Sequence, residues 1–210
     1  MTEPTAGQSR FAPATFFAAA GDALSAAQPA GGGDHVMNPD MILPDTSYRD
    51  AAVLIPVVAR EPEATVILTQ RTGHLSSHAG QIAFPGGKID AGDAGPAAAA
   101  LREAGEEIGL DPAGIAVLGA LPPYLSRTGY RIVPVLARVE PGYRLTVNAN
   151  EVADVFEVPL AFLMDPANHK RASRVFLGRE RYFYEIPFGE RYIWGVTAGI
   201  IRGLFEQVYG

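Results

Sequence analysis

The chain contains no cysteine. Disulfides, thiolate metal sites and cysteine nucleophiles are therefore excluded, and a reducing cytoplasm is the compartment this usage fits. No apolar run approaches the roughly 20 residues that a membrane-spanning helix requires. The alanine-rich stretch from Phe16 to Ala27 invites comparison with a secretion signal, but Gly21 and Asp22 interrupt it and only Arg10 precedes it closely. It reads as an amphipathic surface helix. Basic residues are in deficit, with 17 Lys and Arg against 23 Asp and Glu and a net charge of −6. That balance argues against indiscriminate binding to nucleic acid. A phosphorylated small ligand would need local cations or a metal ion.

What is present is globular: 210 residues, 48% hydrophobic and 19% charged, enough for one domain with a substantial core. Residues 1–47 read as an N-terminal arm: a weakly held lead, a short helix over about 13–27, and a glycine-rich linker from Gly31 to Asp45. Residues 48–210 read as the main domain. The continuous apolar run from Ala52 to Val58 suits a buried strand, and Ala64 to Thr69 a second. A short strand over Gln81–Phe84 stops at Pro85-Gly86-Gly87. A helix is predicted from Pro96 to Ile108, with Pro96 in its first turn and Gly109 just past its end. Further strands are expected at Ile115–Leu121, Arg131–Val139, Val155–Val158, Arg174–Phe176 and Tyr182–Glu185, and a last helix at Tyr192–Val208. Sheet and helices without regular alternation give an α+β fold, an α/β/α sandwich around a mixed β-sheet.

The segment Leu101-Arg102-Glu103-Ala104-Gly105-Glu106-Glu107-Ile108-Gly109-Leu110 carries the chemistry. At about 100° per residue, Ala97, Leu101, Ala104, Gly105 and Ile108 share a packing face. Glu103, Glu106 and Glu107 are expected opposite, at i, i+3 and i+4. Like charges so spaced cost a few tenths of a kcal/mol per pair. Arg102 offsets part of this, and a hard divalent cation such as Mg²⁺, which prefers oxygen ligands, would offset more. Such an ion can bridge phosphate oxygens and activate a water. A bare R-E-x-x-E-E also fits a solvated acidic face. The upstream run Phe84-Pro85-Gly86-Gly87-Lys88-Ile89-Asp90-Ala91-Gly92-Asp93 points to a site, because two glycines let a backbone approach an ion or phosphate closely.

Together the glycine turn and glutamate helix resemble the Nudix box, G-x5-E-x7-R-E-U-x-E-E-x-G-U, where U is bulky and apolar. Gly87, Arg102-Glu103, Glu106-Glu107 and Gly109-Leu110 match it. Asp93 stands where Glu is usual, eight residues rather than seven separate it from Arg102, and Ala104 is smaller than the usual apolar residue. The resemblance implies a Nudix fold and hydrolysis of an X-linked nucleoside diphosphate by water. It further implies Mg²⁺ or Mn²⁺ held by Glu103, Glu106 and Glu107, with the carbonyl of Gly87, and it leaves open which carboxylate takes the water's proton. Glu151 is a candidate distal ligand or an exposed strand-entry carboxylate.

The segment from Leu68 to Gly87 is similar to the signature of the coenzyme A pyrophosphatase branch, L-L-T-x-R-S-x3-R-x3-G-x3-F-P-G-G. Leu68, Thr69, Arg71, Gly80 and Phe84 through Gly87 fit it, Thr72 replaces Ser, and Ser76 replaces the second Arg. Glu151-Val152 through Leu160 resembles the branch's E-V-x-x-x-F-x-V-P-L element, and Ile193-Trp194-Gly195-Val196-Thr197-Ala198 its I-W-G-x-T-A element. The resemblance thus covers about residues 50 to 207. It implies cleavage of coenzyme A to 4′-phosphopantetheine and adenosine 3′,5′-bisphosphate. Arg71, Lys88, Arg127 and Arg131 are the candidate substrate-binding cations. His74 and His78 are read as ordering their loop, and Trp194 as core. The expected partner is a coenzyme A-like nucleotide, with neither nucleic acid nor membrane, and a homodimer is the assembly considered. Two alternatives stand beside this reading. One is a Nudix enzyme acting on NADH or ADP-ribose. The other is a non-catalytic binding module, against which the intact glutamate cluster argues.

Overall fold

Strand β1 (Arg49–Val58) is apolar on both faces, and this decides the architecture. Along it, Val53, Ile55 and Val57 pack into one hydrophobic cluster, while Ala52, Leu54 and Val58 pack into another. Side chains alternate across a strand, so such a run must be covered on both sides. The computed structural model describes residues 9–26, 31–41, 47–74 and 78–210. Ala27, Asp45 and Ser76, named above, lie outside them.

In the larger sheet β1 runs parallel to β7 (Tyr130–Val139) and antiparallel to β2 (Thr65–Arg71) and β4 (Gly86–Lys88). Strand β2 also pairs with β3 (Ile82–Ala83) and β8 (Val152–Pro159). Strand β7 pairs with β5 (Ile115–Ala120) and β6 (Tyr124–Leu125). Helix α3 (Pro96–Ile108) covers one face through Ala99, Ala100, Ala104 and Ile108. The other face is covered by α1 (Pro13–Ser25), the short α4 (Leu160–Leu163) and α5 (Val196–Tyr209), with Phe16, Leu160, Ile200, Ile201 and Leu204 buried among the strands. Each fully buried Leu, Ile or Phe contributes about 1.5–3 kcal/mol. A separate antiparallel sheet joins β9 (Lys170–Phe176), β10 (Arg179–Phe188) and β11 (Arg191–Trp194). The fold is the expected α/β/α sandwich with a mixed sheet.

Three local expectations need correction. The last helix does not begin at Tyr192: residues 191–194 form β11, and the chain turns at Gly195, whose φ of 62° favours glycine, before α5 starts. Gly86 and Gly87 do not form a plain turn but the short strand β4 against β1, so close that a Cβ on Gly86 would lie 2.4 Å from the Ala52 carbonyl oxygen. Leu101 is only half-buried.

The arm is tied to the body. Its second helix, α2 (Asp34–Met37), is followed by Asn38, whose amide donates to the Tyr182 carbonyl at 2.9 Å and accepts from the Tyr182 N–H at 2.9 Å. Asp40 pairs with Arg179 and Arg181 at 2.8 and 2.7 Å. Asp34 accepts from the Tyr124 hydroxyl and the Arg127 N–H, both at 2.7 Å.

Candidate active site

Helix α3 ends in a left-handed cap. Gly109, at φ 68°, returns its N–H to the Gly105 carbonyl at 3.0 Å, and Leu110 reaches Ala104 at 3.3 Å. This end is wrapped by the following loop: Thr146 N–H donates to Ile108 and Asn148 N–H to Glu107, both at 2.9 Å. The wrapping brings Glu151 beside the helix, where Asn148 holds its carboxylate at 3.2 Å and Thr72 N–H binds its carbonyl at 3.0 Å.

The three glutamates do not share one solvent-facing surface. Glu107 lies about −60° from Ala104 on the helical wheel, so it turns inward with the packing face. It is 2% exposed. Burial is the main reason its carboxyl is pushed up to about 7. The Gly86 N–H at 3.2 Å and Arg71 at 3.6 Å oppose the shift, while Glu103 and Glu151 add to it. Glu103 stands at the edge of the face, against the backbone of Gly87, where a Cβ would lie 2.4 Å from its Oε1. Burial also raises its carboxyl above the usual range, against the pull of Arg102. Glu106 faces solvent and pairs with Arg102 at 3.1 Å.

Arg102 organises this end of the site. It makes two parallel 3.0 Å bonds to Asp93, donates to the Lys88 carbonyl at 3.1 Å, and reaches Glu103 at 3.0 Å. Asp93, despite its shorter side chain and the extra intervening residue, thus tethers the box loop to the helix. Its carboxyl is held below the usual range first by Arg102 and then by the Asp90 N–H. With Glu103 and Glu106 turned toward Arg102, no three His, Asp or Glu side chains among the described residues converge, as they stand, on a point able to hold an ion.

A cavity of about 590 Å³ opens in front of these residues. Arg71, Lys88 and Arg127 line it, as do Gly86, Gly87 and His78. His78 holds Gln81 at 2.8 Å, a loop-ordering contact, and His74 is exposed. Arg131 is not brought in: the parallel register of β1 and β7 sets it beside Asp50, with which it pairs at 3.0 Å on the surface. Trp194 lines the cavity half-buried rather than filling the core. Thr197, buried, donates to the Ile82 carbonyl at 3.0 Å, fastening the Ile193–Ala198 segment to β3, just before the glycines of β4. Sequence reasoning missed Arg174, Phe176 and Phe183, which form the opposite wall. The basic and aromatic run along β9 was the available signal.

A buried carboxylate short of partners, set beside a glycine backbone and across a cleft from cations, suits a hydrolase acting on a phosphate anhydride. The NUDIX domain model matches residues 48–178, and the chain belongs to the Nudix family and is a Nudix hydrolase. It is 40% identical over 173 residues to a protein described as "Uncharacterized Nudix hydrolase NudL" from Escherichia coli K12, a match spanning 82% of this chain and 90% of that one. The same values relate it to the NudL of Shigella boydii serotype 4. In fold it is similar to DR0079 from Deinococcus radiodurans, with a TM-score of 0.50 and 14% identity over 80% of this chain and 91% of that one. Nudix hydrolases generally use divalent ions such as Mg²⁺ or Mn²⁺ and act on small nucleotide derivatives. No helix among the described residues is long and apolar enough to cross a membrane.

Proposed function

We propose that the chain hydrolyses the diphosphate of coenzyme A or its derivatives, releasing 4′-phosphopantetheine (or its acyl form) and adenosine 3′,5′-bisphosphate. The observation that carries this reading is convergence. Arg71, Phe84 and Gly86-Gly87 from one stretch resembling the coenzyme A branch, and Trp194 and Thr197 from another, line one cavity although more than a hundred residues separate them.

The donor set fits a hard divalent ion. Glu107 is buried with a single backbone hydrogen bond and a loose ion pair, and the Gly87 backbone is pressed against Glu103. Glu103, Glu107 and the Gly87 carbonyl would hold Mg²⁺ or Mn²⁺, with Glu106 and Glu151 completing the acidic ring. When bound, the ion would polarise the diphosphate and lower the pKa of an attacking water. The protein's own part is positional. Arg102 and Asp93 fix the box loop against the helix. Arg71 lines the cleft with its side chain 26% exposed and its guanidinium only loosely paired to Glu107 at 3.6 Å, so its accessible N–H groups can take a phosphate oxygen. Lys88 and Arg127 supply further positive charge along the cleft.

A second reading is cleavage of another nucleoside diphosphate derivative, such as NADH or ADP-ribose. The observation favouring it is Ser76, which stands where the coenzyme A signature has an arginine. Initial rates on coenzyme A, acyl-coenzyme A, NADH and ADP-ribose, each with Mg²⁺ and with Mn²⁺, decide between them. The first reading requires the highest kcat/KM on a coenzyme A species. A higher value on NADH or ADP-ribose overturns it.

A further inference from the structure

The cavity has more positive charge than a diphosphate needs. The end near the glutamates has Arg71 and Lys88. The far wall adds Arg127 and Arg174, each laid on an aromatic ring: Arg127 lies 4.0 Å from the centre of Phe176, and Arg174 lies 4.9 Å from that of Trp194 and 5.7 Å from that of Phe183. Neither guanidinium has a carboxylate partner among the described residues. Asp34, which also lines the cavity, already accepts from Tyr124 and from the Arg127 backbone. Arg181 is likewise committed, to Asp40.

This is an uncommon way to leave two arginines in a chain of net charge −6. Stacking occupies one face of each guanidinium; Arg174 shares a hydrogen bond with the Tyr192 hydroxyl, and the remaining N–H groups of the two arginines match a phosphate in a bidentate geometry. The ring pair Phe183 and Trp194, 5.4 Å apart and inclined at 64°, offers an apolar surface beside the same edge. A planar base with a phosphate ester on its sugar supplies both complements. A substrate with only the two bridging phosphates would leave the far arginines without a partner.

We infer that Arg127 and Arg174, with Phe183 and Trp194, form a subsite for a third phosphate on the nucleoside half of the substrate, and so select 3′-phosphorylated nucleoside diphosphates over those with an unmodified ribose. The inference rests on the proposed coenzyme A reading for the position of that phosphate. Its test does not depend on catalysis.

Calorimetric titration in EDTA compares adenosine 3′,5′-bisphosphate with adenosine 5′-monophosphate as probes. The wild type should bind the bisphosphate about tenfold tighter or better, since one charge-assisted contact of about 1.4 kcal/mol corresponds to that factor. Arg174→Gln and Arg127→Gln should each lower the bisphosphate affinity more than the monophosphate affinity and so remove most of this preference. Arg171→Gln, on the strand of Arg174 and not itself in the cavity lining, should alter neither. Equal affinity for the two probes in the wild type overturns the subsite. So does loss of monophosphate binding together with bisphosphate binding in the variants, because the arginines would then be shaping the cavity. Rates on coenzyme A and 3′-dephospho-coenzyme A separate the two ideas. Coenzyme A turnover without a bisphosphate preference removes the subsite and keeps the proposed function. A bisphosphate preference without coenzyme A turnover keeps the subsite and removes coenzyme A as substrate.

Discussion

Two carboxylates of this protein sit in opposite conditions. Glu157, on β8, is half-buried at the edge of the sheet and is met from three sides. Arg60 grips it with two bonds of 2.6 and 2.5 Å, and the hydroxyls of Thr65 and Tyr143 also donate to it. Burial alone would raise its carboxyl, but these partners outweigh burial and hold it at about 2. Glu107 is buried more deeply, yet it has one backbone N–H and an arginine at 3.6 Å, and it is pushed up to about 7. Burial acts in the same direction on both, so the number of partners sets the sign of the shift. A carboxylate saturated by its own chain contributes to stability. One left short of partners has capacity for something brought from outside.

The largest test of that contrast is Glu107→Gln, which keeps size and helix propensity but removes the charge. Loss of such an electrostatic group costs about a hundredfold or more in rate. Melting temperature in EDTA should stay level or rise, because Glu107 is held at a cost and repels Glu103 and Glu151. Full activity would end the catalytic assignment, and a collapsed melting temperature would make Glu107 structural.

Glu157→Gln should do the reverse. Leaving Arg60, Thr65 and Tyr143 imperfectly matched costs about 1–3 kcal/mol for buried groups. Arg60 is 44% exposed, so solvent screening brings the figure toward the lower end, about 1 kcal/mol. That corresponds to a melting shift of about 2–4 °C for a chain of this size. The turnover number should be unaffected, and a rate loss matching that of Glu107→Gln would erase the distinction.

The contrast should also appear in pH. Glu107 binds its proton more tightly folded, at about 7, than at the ordinary 4.5. Its contribution to stability is therefore fully present below about 4.5 and is lost as pH rises through 7. Glu157, at about 2 against 4.5, contributes above about 4.5, and its contribution is lost as pH falls toward 2. Melting curves in EDTA across this range should show the neutral limb flattened by Glu107→Gln and the acid limb flattened by Glu157→Gln. A limb flattened by the wrong variant contradicts the assignment.

The smallest effect is expected from Asp93→Asn. Arg102 would lose its two-bond anchor and hold Glu103 and Glu106 more firmly. Activity should fall at limiting Mn²⁺ and recover at saturating Mn²⁺, as read from a metal titration of the rate. A loss that excess Mn²⁺ does not rescue would mean that Asp93 supports the helix itself.

Much of this was legible in the residues. Pro96 and Gly109 bracket α3 because an imino acid and a left-handed cap are local devices, readable without knowing any neighbour. The apolar run of β1 similarly declares its burial. What was not legible depends on distant partners. Helical spacing alone grouped Glu107 with Glu103 and Glu106, but the sheet lies close enough on one side to take Glu107 inward. Arg131 looked available until the parallel register set Asp50 beside it. Tyr192 and Trp194 continued a helical pattern until pairing with Glu185 and Pro187 made them strand. The far wall of the cavity was the least readable, since Asn38 grips Tyr182 across 144 residues of sequence.

That grip bears on where this enzyme's working parts begin and stop. The stretch shared with the family at large, residues 48–178, includes the glutamate helix and the glycine strand. Trp194 and Phe183 come after it, and the clamp formed by Asp34, Asn38 and Asp40 comes before it. A segment trimmed to the shared stretch would keep the glutamate helix with Arg127 and Arg174 but lose the rings of Phe183 and Trp194 beside which Arg174 lies.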